Sequence, residues 1–251
     1  MNDKTNCAIR VKHIFEQAKI YAGHTHGKAW SHVFDLEWNP DQLDSSLFDS
    51  LILLNKEIDL IERKAQELQL PTYLYLTYLN NFKNVCNATN MNERWSDRGG
   101  RLQAQHFLAL DWLGHVIDSD GIEDTSAIDE LEDELTRLKE LVEANDYPDS
   151  FSNLFNRQIE IIQKALNGFK IRGADALAEG IKDTVAETIC SEVTLDDVND
   201  DTKETYSSFK KSITVLHKCY SKVADNASKV NSIGNVAEKG IKAIEFFSNL
   251  P

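Results

Sequence analysis

Between residues 206 and 230 the apolar positions fall alternately three and four apart: Tyr206, Phe209, Ile213, Leu216, Tyr220, Val223, Ala227 and Val230. Such a heptad stripe predicts a helix with one committed buried face. The count carries on through Gly234, Ala237, Ile241 and Ile244, but the register degrades there, with Ile233 and Val236 off the seam and Gly234 on it. Gly234 is suited to a helix end, and Asn235 with Glu238 three residues later has the form of an N-cap and its reciprocal acid. The pattern therefore predicts two helices joined near residues 231–235. The flanks of the seam, Lys210, Ser212, His217, Cys219, Ala224 and Asn226, carry few of the paired charges by which coiled-coil partners choose each other. An intramolecular bundle helix is favoured over a dimer seam.

The rest of the chain repeats the helical period. A first helix is expected over residues 5–21, stopped by Gly23, and residues 23–40 read as irregular. Asp44, Ser45 and Ser46 cap a longer helix in which Leu47, Leu51, Leu54, Ile58, Ile61, Ala65 and Leu68 share a face. Pro71 opens the next, with Tyr75, Leu79, Phe82 and Val85, and the two form an αα-hairpin. Residues 87–100 read as a loop. Beyond it lie a helix through Leu102, Leu108, Trp112, Leu113, Val116 and Ile117, an acidic helix capped at Ser126, a break at Tyr147-Pro148, a helix from Phe151 to Phe169, and another from Ala174 to Ile189 after Gly173.

Composition supports an all-α fold, because 4 Pro and 11 Gly in 251 residues are few for a sheet protein with many tight turns. Charge divides the chain. Residues 118–149 hold thirteen acids against Arg137 and Lys139, a net of −11, whereas residues 201–251 hold eight Lys against five acids, a net of +3. With −14 overall, residues 1–200 carry −17. An acidic body excludes a broad nucleic-acid surface, which needs clustered Lys and Arg. The plain reading is solvated helix faces; the sharper one is a basic tail docked on an acidic body. The acidic stretch 191–202 marks the boundary, giving an acidic helical body over 1–200 and a C-terminal helical arm over 201–251. Cys7, Cys86, Cys190 and Cys219 form no CxxC pair, and the chain has neither an apolar leader nor a run of 18 apolar residues. A cytoplasmic protein with reduced thiols and no transmembrane span is expected.

Three groups of residues are candidates for chemistry. Arg101-Leu-Gln-Ala-Gln-His106 resembles the RxxxxH motif of HEPN-domain ribonucleases, in which Arg and His act on the scissile phosphate without a metal. The resemblance covers six residues, and Leu102 stands where that family often has a polar residue. Five steps of an ideal helix set two side chains about 140° apart, so a shared site requires a distorted helix or a second subunit. The plain alternative is a surface Arg and a half-buried His. His24, His26 and His32, near Asp35 and Glu37, offer zinc or manganese donors, although the interleaved Trp30, Val33, Phe34 and Trp38 read as packing. Asp118-Ser-Asp120-Gly121 has the opening of a calcium loop, but Glu123 and Asp129 occupy the sixth and twelfth positions, where an EF-hand needs Gly and Glu. It reads as an acidic turn.

These patterns together predict an all-α multi-helix bundle with a C-terminal helical arm or hairpin packed on the body. With no Walker A, GxSxG, GxGxxG or HExxH, the expected function is a non-enzymatic helical interaction or regulatory protein in a cytoplasmic complex. It would meet a protein partner, or itself, through helical surfaces and without a cofactor. A metal-independent HEPN-like ribonuclease using Arg101 and His106 is the alternative. A membrane-acting helical effector is the second, since Ala224, Ala227, Ser228, Ser232, Gly234, Ala237 and Gly240 permit close helix approach.

Overall fold

A computed structural model describes residues 4–40, 45–89, 91–122, 126–145, 147–190, 200–224 and 227–248. Among them the protein is an all-α multi-helix bundle, as the periodicity predicts. Eleven α-helices are present in the described residues, with two strands of two residues each, Lys4–Thr5 and Gly121–Ile122. Contacts divide the chain into an N-terminal unit, residues 4–120 with 170–173, and a C-terminal unit formed mainly by residues 121–169 and 174–251. This division falls at Asp120, not at the acidic stretch near residue 200, because residues 200–248 share one apolar core with residues 126–190.

The N-terminal unit contains α1 (Cys7–Ile20), α2 (His26–Val33), α3 (Ser45–Glu67), α4 (Leu76–Val85), the single turn α5 (Trp95–Arg98) and α6 (Ala104–Val116). Asn6 fixes the start of α1. Its Oδ1 accepts from the Ala8 and Ile9 backbone N–H groups at 3.1 and 3.2 Å, and its Nδ2 donates to the Gly114 and Ile117 carbonyls, both at 2.9 Å. One cap thus satisfies orphan donors of α1 and carbonyls at the end of α6. The core gathers Phe15, Trp30, Phe82 and Trp95, with Phe15 edge-on to Phe82 at 4.7 Å and to Trp30 at 5.3 Å.

Helix α2 occupies part of the segment expected to be irregular. It has no side-chain cap; what holds it is tertiary. The backbone N–H groups of His26 and Gly27 donate to the Glu93 and Met91 carbonyls, and a Cβ on Gly27 would lie 2.0 Å from the Trp38 ring. Only a glycine allows that ring its place.

The C-terminal unit contains α7 (Ser126–Ala144), α8 (Asp149–Arg172) except for its last turn, α9 (Ala174–Cys190), α10 (Asp200–Val223) and α11 (Ala227–Ser248). Gly173 ends α8 at φ +56°, a left-handed conformation that a Cβ disfavours. Helix α10 is the centre of this unit. Its seam residues Phe209, Ile213, Leu216 and Tyr220 are buried, and so is a second stripe of Ser208, Ser212, Val215 and Cys219. The second stripe takes in the flank residues Ser212 and Cys219, because α10 packs against α7, α9 and α11 together. The side chains of Tyr206, Val223 and Ala227 lie outside the described residues. The arm is a hairpin, but α10 ends at Val223, α11 begins at Ala227, and α11 runs unbroken through Gly234 and Asn235. Gly234 serves packing instead, since a Cβ there would lie 3.1 Å from His217 Nε2.

The basic tail does dock on acidic α7. Lys218 Nζ lies 2.6 Å from Glu130 Oε2, and Lys211 pairs with the buried Glu134.

Candidate functional site

Arg101 closes a 3₁₀ turn, Gly99–Arg101, and is exposed; α6 begins three residues later. His106 is buried near the start of α6. The Gln103 backbone N–H lies 3.0 Å from its Nδ1 as part of a capping box, and its Nε2 lies 2.9 Å from the Asn81 amide. Tyr78 and Phe82 approach its ring edge-on at 5.4 and 6.1 Å. Both imidazole nitrogens are therefore engaged by the unit's own structure. Arg101 and His106 do not share one helix, and no interaction joins them.

The three histidines of the second candidate also part company. His26 is fully buried, stacked on Trp95 at 5.4 Å, and its Nε2 accepts from Trp30 Nε1 at 3.1 Å. Burial, and then the charge of Arg98, lower its pKa to about 4, so the ring is neutral near pH 7. His24 and His32 stay at the surface, ring centroids 5.4 Å apart, with Tyr21 stacked on His32 at 4.8 Å. Among the described residues no group of three or more His, Cys, Asp or Glu is placed to hold a metal ion. Glu123 of the calcium-loop comparison lies outside the described residues.

Asp120 belongs to a cluster that periodicity alone did not reveal. Arg10 Nη1 donates to Asp120 Oδ1 at 2.6 Å, Nη2 to Glu57 Oε1 at 2.5 Å and Nε to the Ile171 carbonyl at 3.1 Å. Lys64 Nζ adds a contact to Asp120 Oδ2 at 3.1 Å. Burial would raise the Asp120 pKa, but the Arg10 hydrogen bond and the Arg10 and Lys64 charges hold it below the usual range. Burial dominates at Glu57 and raises its pKa despite Arg10. Burial also pushes the neighbouring Cys7 thiol up to about 12, which removes it as a nucleophile. The cluster ties α1, α3, Asp120 and the 170–173 turn within the N-terminal unit. The signal in the sequence is a lone charge on each of two apolar faces: Arg10 beside Val11 and Ile14, and Glu57 between Leu54 and Ile58.

Two further surface features belong to the N-terminal unit. An open groove of 550 Å³ is lined in part by Lys12, Glu16, Lys19, Phe107, Leu108 and Asp111. Its charges are already paired, Lys12 with Asp111 at 2.5 Å, while Lys19 stands 4.5 Å over the Phe107 ring. The turn between α3 and α4 exposes Leu68 at 46%, Tyr73 at 77% and Leu74 at 37%, with exposed Pro71 between them. Comparison with known protein families, with curated proteins and with solved structures finds no match for this chain.

Proposed function

We propose that the protein is a non-enzymatic helical interaction protein of a cytoplasmic complex, and that it meets its protein partner through the α3–α4 turn. The observation that carries this reading is the group of exposed apolar side chains, Leu68, Pro71, Tyr73 and Leu74, within seven residues. Single exposed apolar residues are ordinary, whereas several gathered at one point suit a contact surface. Tyrosine is also among the residues that most often anchor interfaces. Within the turn Gln69 adopts φ +55°, and partly buried Leu70 anchors it on the core.

Affinity purification of the full chain from cells of its source tests this. A protein recovered in stoichiometric amount with the wild type, and lost with a Tyr73→Asp, Leu74→Asp double variant of unchanged helicity, supports the reading. Equal recovery with both chains overturns the choice of surface. RNA incubated with the purified protein should stay intact; cleavage abolished by His106→Ala would favour the ribonuclease alternative instead.

A further inference from the structure

We propose that His24 and His32 form a two-imidazole surface site for a borderline transition-metal dication of the zinc, nickel or copper(II) class. His24 lies in the turn after α1, and His32 lies in the last turn of α2. The fold brings together residues eight positions apart and sends the intervening His26 into the core.

The spacing of the rings suits one shared ion. With metal–nitrogen bonds of about 2.0–2.1 Å, each ring centroid lies about 3.2 Å from the ion, and a tetrahedral angle then separates two centroids by about 5.2 Å. The observed separation is 5.4 Å. None of the four ring nitrogens hydrogen-bonds to another described residue, so binding an ion would break no protein contact. Tyr21 stacks on His32 with an interplanar angle of 22° and limits the ring's freedom. Beside His32 lies a 250 Å³ cavity also lined by Tyr21 and Asp35, and the Asp35 carboxylate is engaged by Lys170. The protein thus supplies two nitrogen donors and water fills the other positions. Two imidazoles favour borderline dications over magnesium or calcium, which prefer oxygen ligands.

The test is a zinc titration of the full chain against a chromophoric chelator, in a Cys190→Ser background that removes the exposed thiol. One equivalent of zinc should bind, magnesium should not compete, and His24→Ala and His32→Ala should each weaken binding about tenfold or more. Zinc should raise the melting temperature of the parent chain and of a His13→Ala control, but of neither site variant. Circular dichroism without metal checks the folding of both variants, and His24→Gln and His32→Gln replace any that melts early. Zinc affinity unchanged in both variants, no zinc binding by the parent, or equal competition by magnesium overturns the site.

Discussion

Arg10 Nη2 lies 2.5 Å from Glu57 Oε1 inside the N-terminal unit, where the two residues are only 9% and 4% exposed. Neither charge is suited to that interior alone. Arg10→Ala leaves Glu57 buried without its cation and should cost about 3–5 kcal/mol. Adding Glu57→Gln to that variant should restore part of the loss, because the uncompensated charge is then gone. All four tryptophans, Trp30, Trp38, Trp95 and Trp112, belong to this unit, so denaturant unfolding followed by tryptophan fluorescence reads both effects.

His26 makes the same unit sensitive to mild acid. Its folded pKa of about 4 lies below the ordinary 6.5, so the unfolded chain takes up the proton first as pH falls. The stabilisation is complete above pH 6.5 and is lost as pH falls from 6.5 towards about 4. That loss amounts to about 3 kcal/mol over the full interval. Urea midpoints followed by tryptophan fluorescence should fall over this range in the wild type. They should fall less in His26→Leu, whose starting stability is lower.

Asp120 acts at more acid pH, and with a different window. Its depressed pKa gives stability that is complete above the ordinary 3.8 and is lost as pH falls through the folded value. Asp120→Asn should therefore lower stability at neutral pH and flatten the loss below 3.8. Paired acid titrations of the folded variant and wild type check this.

Helix α10 carries the C-terminal unit. Phe209→Ala removes a fully buried ring from between its neighbours and should cost about 3–5 kcal/mol, read by far-UV circular dichroism. Ending the chain at Cys190 should do more, since it exposes Leu131, Leu135 and Leu138 of α7 and Leu177 and Ile181 of α9. A truncated chain that kept a cooperative transition from both units would show that α10 is dispensable.

The long helices were readable because their partners are solvent and core, which impose a simple period. Leu47, Leu51, Leu54, Ile58, Ile61 and Ala65 of α3 share the face that the spacing predicts and are buried, whereas Leu68, expected on the same face, lies beyond the helix end at Glu67 and is exposed. The seam of α10 was readable for the same reason. Features set by distant partners were not. Helix α2 depends on Trp38 and on the backbone of residues 91–93, Gly234 answers to His217, and Arg10 meets Glu57 across 47 positions. In the histidine segment, the sequence groups His24, His26 and His32 as possible donors. The start of α2 turned His26 inward and left His24 beside His32.

Hydrogen exchange compared between the free chain and its partner-bound complex tests the proposed interaction most directly. Added protection should centre on residues 68–76, the turn bearing Tyr73 and Leu74. Unchanged exchange at that turn, with protection gained only elsewhere, such as along the α1 and α6 groove, would contradict it.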